Sequence, residues 1–420
     1  MIYSLLLVFF LVILCFNYRN GVCMVASLSV ALYLLVWNKV QLYDGLSFVA
    51  AILLLTKVKL NRVDRYPFMM VSIMMITAYV FTNLFSGNPH WPTTALTLIG
   101  SYLMPIVLWY SLASSKSMKP FRAFIKCTYF FLWAIVVYAF FEFITDSNPF
   151  IEYGLDNELF GPFVALSERY RFGIRRLQSF MALNGALGIV CNLGAIFISY
   201  LLHKGDVFLT RQKLSAKILI VFLILVSLFT GTRSVYVGTV ISLLYVMIGY
   251  GIQLKRVVSI LTLLAIALMV FAPFFTEIAS SFTDTSSTDG SNADMRKGQF
   301  LTSFYYMMNA GLFGHGTSFT SDLMETNPGD IFGAESIWMP LMMNLGIYGV
   351  VSYLAFIIFI FYYCVKNKNT ACVFVLLSFI LTKTLTSAPG IYETYFLMYI
   401  IFIISYNKFD YAKIKMARDI

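Results

Sequence analysis

Residues 214–251 read LSAKILIVFLILVSLFTGTRSVYVGTVISLLYVMIGYG, two apolar runs joined by Thr230-Gly231-Thr232-Arg233-Ser234. Each run approaches the length needed to cross a hydrocarbon core of about 30 Å, and a helix satisfies its own backbone polar groups there. The five joining residues form a tight turn between two apolar helices. Arg233 is left at the membrane boundary, where a guanidinium is costly unless an anion or a carboxylate meets it.

The same alternation of apolar run and polar break extends in both directions. Spans are expected near 2–17, 21–37, 42–56, 67–85, 93–115, 121–145, 178–202, 214–230, 234–251, 256–275, 336–364, 370–387 and 390–405. The expected fold is therefore all-α, a polytopic integral membrane protein of about 13 transmembrane helices (roughly 12–14), with residues 1–420 forming one transmembrane domain. Composition agrees. Of 420 residues, 60% are hydrophobic and 12% charged, about half the charge fraction of a soluble domain, and mean hydropathy is +0.80. Met1 to Phe16 lacks the basic start and the small-x-small site of a cleaved signal, and reads as the first helix. Cys15, Cys23, Cys127, Cys191, Cys364 and Cys372 fall in or beside apolar runs without CxxC spacing, so neither a disulfide nor a metal site is expected.

The net charge of +10 is scattered among short loops instead of lining one soluble face, which argues against nucleic acid as a partner. Orientation in the bilayer explains it better. With the N-terminus outside, 21 of the 30 basic residues fall in cytoplasmic segments, from Arg19 through Lys57–Arg65, Lys116–Lys126, Lys204–Lys217, Lys255–Arg256 and Lys366–Lys368 to Lys408–Arg418, as the positive-inside rule requires. Two larger extracytoplasmic loops follow, at 146–177 and 276–335. The second holds the polar tract Asp284–Asn292 and then Met295–Ala310, read as an amphipathic helix lying against the membrane. No cytoplasmic loop is long enough for a nucleotide-binding domain, and neither a GxxxxGK[ST] nor a GxGxxG pattern in a strand–helix unit occurs.

Nine basic residues remain outside, and six of them are Arg: Arg169, Arg171, Arg175, Arg176, Arg233 and Arg296. Topology does not need them there, whereas bidentate binding of phosphate or carboxylate does explain arginine. The alternative is pairing of Arg169 and Arg171 with Glu168 or Glu158, or contact with headgroups. Arg176 stands about one turn from Phe180 and Asn184 a turn further on, so a helix starting there places arginine and amide on one face; Asn184 beside Gly185 and Gly188 otherwise reads as a helix-packing amide. In Gly314-His315-Gly316 the glycines permit backbone approach to an anion, or form an ordinary turn. His315 is a candidate general base, or a solvated loop histidine. Glu335, before Ser336 and the span beginning at Trp338, is a candidate base or a carboxylate favouring a helix N-terminus, and Glu393 is a second candidate.

Four patterns in the C-terminal 250 residues resemble the O-antigen polymerase and ligase family, the Wzy-like and WaaL-like membrane glycosyltransferases. They are Arg176…Phe180-x-x-x-Asn184, Thr230-Gly231-Thr232-Arg233-Ser234, Arg296 ahead of Asn309–Gly316, and Glu335-Ser336 with Gly346-Ile347-Tyr348-Gly349. The N-terminal 150 residues contribute hydropathy alone. The resemblance implies inverting glycosyl transfer from an undecaprenyl-pyrophosphate-linked glycan at the outer face of the cytoplasmic membrane. It implies no cofactor and no metal, a setting of membrane lipids, and a chain-length regulator as partner. Carried over, Arg176, Arg233 and Arg296 would hold the pyrophosphate and stabilise its leaving charge, Arg175 and Asn184 being further candidates for substrate binding. An acceptor hydroxyl would attack helped by a base, for which Glu335 and His315 are the candidates, or by positioning alone.

Ligases of the family carry His where this chain has Glu335, which favours a polymerase of O-antigen or capsular repeat units. The rivals are the ligase, which transfers polymer to lipid A core, and a flippase or transporter. Transporters tend to carry paired internal repeats and charge along the whole path, and here the polar groups gather at one face.

Overall fold

The computed structural model describes residues 2–37, 40–60, 63–86, 91–156, 170–171, 174–181, 183–249, 293–326, 336–385 and 392–418. The expected span 256–275, the tract Asp284–Asn292, Arg169 and Glu335 lie outside them, as do the side chains of Arg171 and Glu393.

The chain is a multi-pass, all-α membrane protein. Its first helices are α1 (Ile2–Phe16), α2 (Tyr18–Ser27), α3 (Ser29–Leu34), α4 (Leu42–Lys57), α5 (Met69–Ser86), α6 (Trp91–Ala113), α7 (Lys119–Thr145) and α8 (Pro149–Asp156). Then come α9 (Asn184–His203), α10 (Val207–Arg211), α11 (Lys213–Leu228), α12 (Arg233–Gly249), α13 (Ala293–Asn309), α14 (Phe319–Thr326), α15 (Trp338–Lys366), α16 (Thr370–Thr384) and α17 (Tyr392–Arg418). Two antiparallel pairs of two-residue strands interrupt them, β1 (Val36–Trp37) with β2 (Val40–Gln41) and β3 (Tyr170–Arg171) with β4 (Ile174–Arg175).

Three boundaries differ from the sequence reading. The span expected at 21–37 is broken at Leu28 into α2 and α3. The span expected from 178 starts only at Asn184, because the residues before it bend around a buried carboxylate. The last helix runs on to Arg418, carrying a polar end beyond the apolar run.

Helix α9 is the axis of the bundle. Its apolar stretch is 94% buried, against 39–44% for the other long apolar helices α5, α7 and α15. α9 meets lipid almost nowhere, being surrounded by α7, α11, α12, α16 and α17. On the outer helices the apolar residues face away from the protein, with Met70 76%, Ile144 78% and Leu214 73% exposed. Water would not tolerate that surface, and hydrocarbon does.

Between apolar helices the adhesive contacts are close approach and hydrogen bonds. A Cβ on Gly188 would lie 2.3 Å from a Val235 methyl, so α9 and α12 touch backbone to side chain there. Asn192 Nδ2 donates to Val235 O at 3.2 Å, Ser242 Oγ to Asn192 O at 3.2 Å, and Ser378 Oγ to Gly238 O at 3.3 Å, binding α9, α12 and α16.

Other polar bonds between segments gather at two ends. At one, Arg19 Nε donates to Ser114 Oγ (3.2 Å), Lys408 Nζ to Asp64 (2.9 Å), Tyr406 Oη to Asp206 (3.2 Å) and Asn407 Nδ2 to Asn369 (2.9 Å). These join segments that the charge count placed together. The opposite end carries Arg175, Arg176 and Arg233.

Candidate functional site

Gly231 decides the local geometry. Its φ of +62° lies in the left-handed region, which glycine enters without a Cβ penalty, so α11 can reverse into α12 within a few residues. The reversed turn presents its backbone to the segment before α9. Leu177 N–H donates to Phe229 O at 3.0 Å. Arg176 lays its guanidinium on the turn, with Nε donating to Thr230 O at 3.3 Å and an Nη to Thr232 Oγ1 at 3.4 Å. Gly231 is also where the arginine passes, since a Cβ there would fall 2.9 Å from Arg176 Cγ. The next residue after Thr232 is Arg233, which opens α12 half-buried. Two guanidinium-bearing residues from distant segments thus meet at one turn, and one stands at a helix N-terminus, where anions are favoured.

Arg175 faces elsewhere. It is 7% exposed and sits 2.6 Å from Asp146 and 3.6 Å from Glu142, so two carboxylates of the α7 end occupy it. Glu142 is itself buried, and its Oε2 accepts the N–H groups of Gln178 at 3.0 Å and Ser179 at 2.7 Å. A buried carboxylate needs such partners. Ser179 takes φ +51° to supply one of them.

Asn184 does not share a helical face with Arg176, because α9 starts only at Asn184 and residues 176–181 are not helical. Instead its Nδ2 donates to Leu177 O at 3.1 Å and ties the arginine segment to the start of α9. Phe180 stacks on Tyr138 at 4.2 Å between ring centres.

The second loop docks on a broken helix. α15 is interrupted at Gly346 (φ +65°, ψ −159°), and the opening admits Gly314, whose N lies 2.4 Å from where a Gly346 Cβ would be. Carbonyls freed by the break accept from the loop: Met343 O from His315 N–H at 3.0 Å, and Asn344 O from Gly316 N–H at 3.1 Å. Asn344 Oδ1 accepts from Thr320 N–H and Oγ1, and its Nδ2 donates to Thr317 O. From α5, Thr82 Oγ1 donates to Phe313 O, and Asn83 Oδ1 accepts from Thr317 N–H and Oγ1.

His315 is part of this packing. Its Nε2 lies 3.1 Å from Tyr306 O, an atom that can only accept, so Nε2 carries the proton. The ring also stacks on Phe319 at 4.2 Å. These bonds run inward to α13 and α15, not to the Arg176–Arg233 turn. Helix α13 buries Gln299, Ser303 and Met307 and leaves Phe300, Leu301, Phe304 and Tyr305 exposed, with Arg296 half-buried near its start.

Among the described residues no cluster of His, Cys, Asp and Glu has the make-up of a metal site. Residues 218–354 match the family model Wzy_C, described as O-antigen ligase. The likeness to that family covers about a third of the chain. This Wzy_C stretch runs from within α11 into α15 and so includes Arg233, Arg296 and His315. Arg176, Asn184, Arg175 and Glu142 lie outside it and are brought to its Thr230–Arg233 turn by the fold. No curated protein matches the chain.

Sequence reasoning missed Glu142, Asn83 and Asn344. For Glu142 a signal was present, since it is the lone acidic residue of the 27-residue apolar helix α7, and an ionisable group inside a span warrants a search for its partner.

Proposed function

We propose that this protein joins undecaprenyl-pyrophosphate-linked oligosaccharide repeat units into O-antigen or capsular polysaccharide at the outer face of the cytoplasmic membrane. The observation that carries the reading is Arg176 lying on the turn that carries Arg233, within hydrogen-bond reach of Thr230 and Thr232. Fixed guanidinium groups at one end of an apolar bundle suit a diphosphate whose lipid tail stays in the bilayer. In the transfer, a sugar hydroxyl of the acceptor attacks the anomeric carbon. The bond to the pyrophosphate oxygen breaks, and Arg176 and Arg233 stabilise the charge gathering on the departing pyrophosphate. Arg296 is assigned to the same anion. The acceptor proton is assigned to Glu335, which stands where ligases of the family carry His; the bonds of His315 suit it to packing. A chain-length regulator is the partner expected beside the enzyme.

The description of the matching family favours a second reading, transfer of finished polymer to lipid A core by a ligase. Deleting the protein and resolving surface polysaccharide on a gel separates the two. Single capped repeats support the polymerase, loss of all attached polymer supports the ligase, and an unchanged ladder refutes both.

A further inference from the structure

We infer that Glu142 is a positioning residue that aims Arg176 at the pyrophosphate, an inference that rests on the reading just given. Arg176 follows directly on strand β4, and its side chain leaves on another side from that of Arg175: Arg175 meets Glu142 and Asp146, Arg176 the Thr230–Thr232 turn. Its aim is therefore set by the backbone of its neighbours. Those neighbours are anchored on every side. Glu142 Oε2 accepts from Gln178 N–H at 3.0 Å and Ser179 N–H at 2.7 Å, while the Arg175 guanidinium stands 3.6 Å from Oε1. Ser179 O accepts from Asn148 Nδ2 at 3.0 Å, and Ser179 Oγ donates to Ile135 O at 3.0 Å.

Glu142 thus holds the residue before Arg176 by charge and the second and third residues after it by backbone hydrogen bonds. The bonds to a charged acceptor are the strong kind. They leave Arg176 one direction, across Gly231. Helix α7 lies outside the Wzy_C match, so the family domain borrows its anion grip from a carboxylate on another helix. Glu142 does not touch the substrate in this arrangement; it acts through Arg176.

Binding of inorganic pyrophosphate to the detergent-purified full chain tests this, measured by calorimetry on wild type, Glu142→Gln, Arg176→Ala and the double variant. Glu142→Gln is expected to weaken binding about 10-fold and Arg176→Ala by roughly 10- to 100-fold, with the double variant no weaker than Arg176→Ala alone. Losses that multiply in the double variant, or wild-type binding by Glu142→Gln beside a weakened Arg176→Ala, overturn the positioning role and leave the functional reading intact. Wild-type binding by Arg176→Ala overturns the pyrophosphate grip itself. Should Glu142→Gln fail to reach the membrane, Glu142→Asp keeps the charge but withdraws it by one methylene. It is expected to weaken binding likewise, and wild-type affinity there refutes the inference.

Discussion

Replacing Gly231 by alanine should dislodge Arg176 while leaving the bundle assembled. Two costs enter. An L-residue at φ +62° pays about 1–2 kcal/mol for the left-handed region. The new Cβ also lands 2.9 Å from Arg176 Cγ and 3.4 Å from its Nε, so the arginine stem must retreat by several tenths of an ångström. Its bonds to Thr230 and Thr232, already at 3.3 and 3.4 Å, have no slack to follow. A displacement approaching 1 Å at a positioning group costs on the order of 10²-fold in rate. Gly205 supplies the control: its φ is +70°, and a Cβ there meets nothing within 4 Å. Gly205→Ala pays the backbone strain without the collision. Both variants should lose a similar, small amount of thermal stability in detergent, and Gly231→Ala alone should collapse the polysaccharide ladder by about 10- to 100-fold. Equal ladders from the two variants would refute the assignment of Arg176 to the site.

Arg233→Lys keeps the charge but not the planar fork, and should remove most activity at normal membrane abundance; full-length glycan in that variant contradicts a bidentate role. His315→Gln should cost less than about 10-fold in polymer formation, because a general base contributes roughly 10²-fold or more; a larger loss would restore His315 as base. Asn344→Leu removes the acceptor of Thr320 and the donor to Thr317, and should lower stability by about 2–3 kcal/mol, read as a fall in the melting temperature of purified protein. Gly346→Ala puts a Cβ 2.4 Å from Gly314 N, backbone against backbone, and should reduce folded protein in membranes more than Gly231→Ala does; equal abundance would contradict the docking of the loop.

The helices were legible because burial in lipid demands long apolar runs, and hydropathy reports that demand directly. The breaks were less legible. Nothing in Ser27-Leu28-Ser29 announces that α2 ends and α3 begins. The start of α9 was misplaced because Gln178–Leu183 is apolar enough to continue a helix, yet Glu142 claims the N–H groups of Gln178 and Ser179 from another segment. The arginines were legible as a type in an unexpected place, and their division of labour was not. Arg175 and Arg176 are indistinguishable in sequence. The fold gives them different partners, one Glu142 and Asp146, the other the Thr230–Thr232 turn. Such a choice depends on a partner helix more than thirty residues away, so no local spacing encodes it. His315 looked catalytic for the converse reason, since titratability is visible in sequence and a stacked, proton-donating ring is not.

The break in α15 has a consequence for how such chains can diverge. Leu312 to Gly316 is stitched through main-chain atoms to Met343, Asn344 and Tyr348, so the loop's tip and the interrupted helix are one mechanical part despite the residues between them in sequence. Lengthening by even one residue between Leu312 and Thr320 would pull the plug from the helix, whereas additions after Thr326 leave every stitch in place. Relatives that recognise different sugars should therefore vary in length beyond Thr326 and inherit the plug and its socket together.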